Sequence, residues 1–235
     1  MTCLRSHDGC MTTETMTTET IPTRPVGSNQ TTDPRPLFTT AVQTAVPVIA
    51  SVRPDQFDLA SPCVEFDVKG LLAHLVFVLH RVAALGRGEQ AYAPNSMADA
   101  VIEHDDWVGD WEAAAAEVDA AWADAAKLES TVVLPWATMT GAEMLGMYVS
   151  EITTHTWDVA KATGQDPEWN DAVCRLALDS MHRDLPMADR TPMWEEFTAN
   201  APANFQFDAP FANAVAVAVD APLIDQLVGW TGRQP

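Results

Sequence analysis

The chain has 235 residues, 47% of them hydrophobic, and its 33 acidic and 13 basic side chains give a formal net charge of −20 at pH 7. This length suits one domain of ordinary size, and the apolar content is sufficient for a packed core. Phosphate backbones and anionic lipid headgroups repel so acidic a chain, so we expect no nucleic-acid partner and no membrane partner.

The four cysteines, Cys3, Cys10, Cys63 and Cys174, form no CxxC pair, which argues against a disulfide scaffold and against a zinc ribbon. No uninterrupted apolar run approaches the length of a membrane span, and the N-terminus lacks the pattern of a signal peptide. We therefore expect a cytoplasmic protein with reduced thiols.

Residues 1–34 are rich in Thr, Pro, Ser and Asn and poor in apolar side chains, a composition that predicts a disordered tail. The remaining residues, 35–235, are expected to form one helical-bundle domain. The pentapeptide MTTET at 11–15 repeats at 16–20, and we hypothesise that translation begins at Met11 or Met16. Mass spectrometry of the natural N-terminus tests this, and finding Met1 or Thr2 there would contradict it.

The first two predicted helices span residues 37–52, with a kink expected at Pro47, and residues 68–85. Residues 61–66 between them are expected to form a loop. Asp67 is the predicted N-cap of the second helix, in which apolar residues recur every three or four positions. This pattern is typical of a helix that packs in a bundle.

A break over residues 86–95 precedes a long, acidic third helix predicted over 96–127. The β-branched run at 131–136 favours an extended segment. The fourth predicted helix covers 140–163 and ends at Gly164, a residue suited to capping a helix C-terminus.

The C-terminal part is predicted to contain a shorter helix at 170–185, an irregular segment at 191–211, a short strand at the alternating run 214–219, and a last helix at 221–232. Four long helices dominate the chain. The sequence therefore predicts a mainly all-α fold, an up-and-down four-helix bundle with short C-terminal helices and one short strand.

Glu151 and His155 stand four residues apart on the fourth predicted helix, so both project from the same face. Such a pair is more often a surface contact than a metal clamp, and a clamp needs a third ligand. On the second helix, His74 and His80 lie on opposite sides of the apolar stripe, so one metal ion can use one of them but hardly both.

His74, Glu151 and His155 together would offer two imidazoles and one carboxylate. This donor set suits Zn²⁺, Ni²⁺ or Fe²⁺ and leaves coordination positions open for water or substrate, as in catalytic rather than structural metal sites. The alternative is that His74 is a hydrogen-bonded residue at the border of the core.

The other candidate residues are expected to have structural rather than metal-binding roles. His7 falls in the tail, His104 is assigned to a solvated acidic face, and Cys63 and Cys174 are expected to be small buried residues. Asp158 is expected to anchor its helix, with a weaker expectation that it supports a ligand histidine. The tryptophans of the third helix are expected in the core or at an interface: Trp107, Trp111 and Trp122.

Three segments, PCVEFDVKGLLAH at 62–74, YVSEITTHTWDVAKATGQ at 148–165 and DAPLIDQLVGWTGRQP at 220–235, occur in the order found in a known family. They resemble the metal-binding domains of the mycothiol-dependent maleylpyruvate isomerases, actinobacterial members of the DinB-like four-helix bundles. The resemblance covers about residues 36–235.

The resemblance implies that His74, Glu151 and His155 are the metal ligands, and it favours His74 over His80. It implies zinc first, with nickel or iron as alternatives, and mycothiol as a co-substrate. The resemblance also implies that the family's namesake carries a further C-terminal domain, which contributes to catalysis. The present sequence ends at Pro235, so we expect the broader chemistry, a thiol-dependent transferase or isomerase acting on a small electrophile.

Two alternatives stay open from the sequence. One is a non-catalytic metal-binding or regulatory module, and the other is a plain helical protein in which the Glu151–His155 pair is structural. A homodimer is a further expectation, since the tryptophan-bearing third helix offers an apolar surface.

Overall fold

The computed structural model describes residues 33–89, 106–134, 137–200 and 211–235, without the side chains of residues 197, 198 and 200. The predictions for the N-terminal tail and for His7 and His104 therefore lie outside the described residues. The same holds for the first third of the predicted third helix.

Four long helices form the body of the protein and confirm the mainly all-α prediction: α1 Arg35–Ala50, α2 Val68–Arg87, α3 Trp107–Ala121 and α4 Gly141–Thr163. Three shorter helices follow: α5 Asp171–Asp184, α6 Thr191–Asn200 and α7 Leu223–Trp230. Two short 3₁₀ turns lie at Pro54–Gln56 and Ala125–Glu129.

Capping residues explain where the two central helices begin. Asp67 accepts a hydrogen bond from the Gly70 N–H at the start of α2, as the sequence predicts. Thr140 and Glu143 form a reciprocal capping box at the start of α4. These signals are local, and they fix the register of the helices that carry the candidate ligands.

The core lies where α2 packs against α3 and α4, and α1 and α5 also pack against α4. The side chains of α2 that follow the predicted stripe are fully buried: Val68, Leu71, Leu75, Leu79 and Val82. The indole N–H groups of Trp111 and Trp122 donate to the carbonyls of Val42 and Val82, at 3.1 and 2.9 Å.

Trp107, Trp111 and Trp122 are all buried within this chain, which confirms the core interpretation of these residues. The apolar surface on which the expected homodimer rested is thus largely consumed by the protein's own core. A dimer stays a prediction without that support.

The extended segment predicted at 131–136 is confirmed in part and proves to be one arm of a hairpin. Strand β1, Thr131–Leu134, pairs antiparallel with β2, Ala137–Thr140, with Thr131 opposite Thr140. The second arm was not predicted.

Two C-terminal predictions are wrong. Residues 191–200 form helix α6 where an irregular segment was expected, and the alternating run 214–219 is not a strand. Its backbone N–H groups at Ala214 and Val215 bond the carbonyls of Ala188 and Gly229. Because these acceptors lie in a loop and a helix, no ladder forms there within the described ranges.

Helix α2 is long and apolar enough to cross a membrane by length and composition alone, which the sequence reading did not anticipate. Core helices of soluble proteins meet the same criterion, and α2 is the central helix of this core.

Candidate metal centre

The structure brings together the three residues that the sequence singled out. His74 Nε2 on α2 lies 3.0 Å from Glu151 Oε1 on α4, and His155 Nε2 lies 3.6 Å from the same oxygen. One donor atom from each residue falls within 4.8 Å of the others, and the two imidazole rings meet edge to face with centroids 4.8 Å apart.

The cluster lies at the border of the core, with its carboxylate nearest to solvent. The side chains of His74 and His155 are 9% and 10% exposed, whereas that of Glu151 is 25% exposed. Phe66 stacks on His74 at 5.0 Å between ring centroids and covers one face of the imidazole. The site is therefore accessible mainly from the Glu151 side.

The spacing of the donor atoms fits a divalent ion. A tetrahedral zinc ion bonds nitrogen and oxygen at about 2.0–2.2 Å, which places neighbouring donor atoms about 3.3 Å apart. The distances of 3.0 and 3.6 Å to Glu151 bracket that value. Two imidazoles and one carboxylate leave at least one position open, as catalytic zinc sites do.

The three side chains shift one another's pKa values because they lie close together and are largely buried. Burial acts to lower the pKa of His155, but the charges and hydrogen bonds of Glu151 and Asp158 outweigh it and raise that pKa to about 9. Burial lowers the pKa of His74, with repulsion from His155 in the same direction. Burial acts to raise the pKa of Glu151, yet His155 and His74 hold it well below its usual range.

Behind His155 lies Asp158, whose side chain is fully buried and accepts a hydrogen bond from His155 Nδ1 at 3.0 Å. Arg233 from the C-terminal segment donates to the same carboxylate, with Nη2 at 2.8 Å from Oδ2. The weaker expectation for Asp158 thus has a contact to support it. Sequence reasoning missed Arg233, and its only signal was the GRQP ending of the third motif.

A second group of donors, Cys63, His155 and Asp158, also converges within 4.8 Å. Here Asp158 already bonds both His155 and Arg233, and burial raises the pKa of the half-buried Cys63 thiol. This group is therefore less suited than the first to bind a metal ion, because its thiol keeps its proton and its carboxylate already has partners. Cys174 is buried as predicted, whereas Cys63 is only half-buried.

The other described histidines take no part. His80 is exposed and lies 3.3 Å from Glu117 on α3, on the opposite side of α2 as the helical spacing predicts. His182 is exposed and contacts the Trp230 ring edge to face.

Comparison with known proteins identifies the family of this chain. Residues 38–160 match the model of the mycothiol maleylpyruvate isomerase N-terminal domain, a span that contains all three candidate ligands. The chain belongs to this family. The family resemblance is thereby confirmed, and the matched span includes the first motif and most of the second.

Two bacterial proteins are similar in sequence to most of this chain. Two proteins of Mycobacterium tuberculosis, from strains CDC 1551 / Oshkosh and ATCC 25618 / H37Rv, are each 30% identical over 190 residues, 79% of this chain and 90% of theirs. Both are described as uncharacterized.

Among solved structures, the crystal structure of the mycothiol-dependent maleylpyruvate isomerase superposes with a TM-score of 0.53 at 14% identity, covering 67% of this chain and 70% of the other. A histidine-to-alanine mutant of that enzyme gives the same TM-score at 15% identity. These likenesses show that the fold is shared.

Proposed function

We propose that this protein is a cytoplasmic, divalent-metal-dependent enzyme, a transferase or isomerase that uses a low-molecular-weight thiol such as mycothiol against a small electrophile. The observation that carries the proposal is the convergence of His74, Glu151 and His155 donor atoms within 4.8 Å at the border of the core. Family membership supports the thiol, and the free Cys63 and Cys174 suit a reducing compartment.

The position of each residue determines its role in the proposed centre. His74 Nε2 and His155 Nε2 would hold the ion from α2 and α4, and Glu151 Oε1 would supply the negative charge between them. A bound divalent ion lowers the pKa of a thiol or water and so supplies a nucleophile near neutral pH. Because Glu151 is the most exposed of the three, the thiol and the electrophile would approach from its side.

The charge of the site favours an anionic thiolate. Two neutral imidazoles and one carboxylate leave a divalent ion with one uncompensated positive charge, and the buried Asp158–Arg233 pair adds none. A thiolate would complete the neutralisation. Zinc is the first expectation for this nitrogen and oxygen set with a sulfur co-ligand, with nickel and iron as alternatives.

Metal content is the first test. Purified wild type, His74→Ala, His155→Ala and the control His80→Ala are analysed by elemental mass spectrometry before and after incubation with zinc or nickel. We expect about one ion per wild-type chain, retained in His80→Ala and lost in the other two. His80 is a matched control because it lies on the same helix but faces Glu117. Wild type that takes up no metal would contradict the proposal.

Thiol-dependent turnover is the second test. The metal-loaded protein is incubated with mycothiol, or with another low-molecular-weight thiol, and a panel of activated alkenes, alkyl halides and epoxides. We expect consumption of an electrophile that requires both metal and thiol and disappears in His155→Ala. Stable metal binding without turnover across the panel would instead favour a non-catalytic or regulatory metal-binding module.

A further inference from the structure

We propose that Arg233, acting through Asp158, is a positioning residue that fixes the orientation of the His155 ring and thereby sets the metal affinity of the centre. This inference rests on the proposed metal centre. It assigns a role to the C-terminal segment, 75 residues from Asp158 along the chain.

Asp158 is built to hold an imidazole. Its side chain is fully buried on α4, one turn beyond His155, and its Oδ2 lies 3.0 Å from His155 Nδ1. An imidazole has two ring nitrogens, and the partner of one determines where the other points. With Nδ1 engaged by Asp158, Nε2 is directed at Glu151, 3.6 Å away. Cys63 does not need to be a ligand in this arrangement.

Arg233 in turn holds Asp158 through a two-pronged contact. Its Nε donates to Oδ1 at 2.9 Å and its Nη2 donates to Oδ2 at 2.8 Å, the parallel fork that arginine forms with carboxylates. The third nitrogen, Nη1, donates to the Thr231 carbonyl at 3.1 Å. The Arg233 side chain is only 8% exposed and that of Asp158 is fully buried, so solvent screens this ion pair weakly. The carboxylate is thereby held in one orientation toward His155.

The end of α7 places the guanidinium at this position. Gly232 adopts a left-handed conformation with φ of 90°, and its N–H donates to the Gly229 carbonyl while the Arg233 N–H donates to Val228. These two bonds are the Schellman motif that ends many helices. The motif reverses the chain after Trp230 and turns Arg233 back toward α4.

The pair also keeps the charge beside the centre balanced. A buried carboxylate without a partner is strongly unfavourable, and removal of one member of a buried ion pair leaves that penalty in place. Without Arg233, Asp158 would be released to rotate or to draw in water. His155 would then lose its fixed ring orientation although no metal ligand had changed.

The test measures cobalt binding, because Co²⁺ reports its ligand geometry through visible absorption. Wild type, Arg233→Gln, Asp158→Asn, the double variant and the control Arg183→Gln are titrated with Co²⁺ against a competing chelator. Arg183 is a suitable control because its side chain bonds Asp184, at 2.8 Å, and Ser180, both on α5, a helix that carries none of the candidate ligands. Loss of a partner behind a ligand histidine typically weakens metal binding about 10–100-fold.

We expect Arg233→Gln and Asp158→Asn each to weaken Co²⁺ binding about 10–100-fold and to change the visible spectrum, with Arg183→Gln unchanged. Because Arg233 acts through Asp158, the double variant should lose no more than the worse single variant. Additive losses, or a wild-type affinity and spectrum in Arg233→Gln, would overturn the inference. An equal loss in Arg183→Gln would overturn it as well.

Arg233→Gln leaves Asp158 buried without its partner, so folding is followed by circular dichroism and Arg233→Lys is measured beside it. Lysine restores the charge but not the fork. We expect Arg233→Lys to fold, to bind Co²⁺ with an affinity between those of wild type and Arg233→Gln, and to show an altered visible spectrum. A wild-type spectrum in Arg233→Lys would contradict positioning by the fork. Wild type that binds neither Co²⁺ nor zinc would overturn the proposed metal centre itself, a result distinct from a bound but unaltered spectrum in the variants.

Discussion

At the scale of single residues, His155 is the side chain on which the candidate centre depends. It lies between two carboxylates, with Glu151 on the solvent side and Asp158 on the core side. Together they raise its pKa to about 9, so the ring carries a proton at neutral pH in the metal-free protein. An ion that binds His155 Nε2 must displace this proton.

Metal binding should therefore release a proton and strengthen as the pH rises. Below a pKa of about 9 we expect the apparent zinc affinity to increase about tenfold per pH unit, since one proton competes for the site. Competition with a chelator from pH 6.5 to 8.5 measures the slope, and calorimetry in buffers of different ionisation enthalpy counts the protons. His80→Ala should keep the slope. A zinc affinity that does not change with pH would contradict this assignment.

The same proton should stabilise the metal-free fold. The pKa of His155 is raised above its unfolded value of about 6.5, so its contribution is fully present below about pH 6.5 and is lost as the pH rises through about 9. We expect the free energy of unfolding to fall by on the order of 1–3 kcal/mol between these pH values. Urea unfolding of chelator-treated protein measures it. His155→Gln should show a smaller fall, and an equal fall in both proteins would contradict the prediction.

At the scale of elements, three described helices are followed by glycines with positive φ, and two of these glycines, Gly164 and Gly232, have different surroundings. Gly164 after α4 and Gly232 after α7 have φ of 72° and 90°. A Cβ at Gly164 would meet open space, whereas a Cβ at Gly232 would lie 2.8 Å from Ala212 Cβ and 3.2 Å from the Asn213 carbonyl oxygen. The pair separates the cost of a left-handed backbone from the cost of a steric clash.

We expect Gly164→Ala to destabilise the protein by about 1–2 kcal/mol, the penalty for a left-handed L-residue. Gly232→Ala should be worse, because Ala212 and Asn213 must also move. Equilibrium urea unfolding compares the two variants. Metal affinity gives a second readout: Gly232→Ala should weaken zinc binding by displacing Arg233, and Gly164→Ala should not. Equal stability of the two variants would contradict the role of the clash.

The elements that were predictable from the sequence carry local signals. Helices α2 and α4 were predictable because apolar periodicity, the Asp67 cap and the terminal Gly164 agree. The hairpin was half predicted, because the β-branched run of β1 shows in sequence while β2 depends on pairing with it. The run at 214–219 alternates as a strand does, but no described strand lies beside it.

Part of the candidate centre was likewise predictable from local signals in the sequence, and part was not. Helical spacing indicated which faces of α2 and α4 carry His74, Glu151 and His155, and the structure brings those faces together. Spacing alone left His74 and His80 open, and the family resemblance favoured His74; the structure places His74 beside Glu151 and His80 beside Glu117. The Arg233–Asp158 pair has no such signal, because it joins residues far apart in sequence through the packing of α7 near α4.

At the scale of the whole molecule, the net charge of −20 opposes compaction. The ion pairs that offset it are mostly short-range and exposed, such as Arg53–Asp55 and Arg87–Glu89, and such pairs contribute about 0–1 kcal/mol. The Asp158–Arg233 pair differs because it is buried and little affected by salt. Repulsion among the remaining carboxylates should therefore dominate the response to ionic strength.

Salt should accordingly stabilise the fold. The screening length falls from about 30 Å at 0.01 M salt to about 8 Å at 0.15 M, so long-range repulsion is removed while short pairs are weakened little. We expect the thermal midpoint at pH 7 to rise between these concentrations, equally in NaCl and KCl because the effect is one of screening. Near the sequence isoelectric point of about 4.3 the rise should vanish, since the net repulsion is gone. A midpoint that falls with salt at pH 7 would mean that the surface ion pairs outweigh the excess of negative charge.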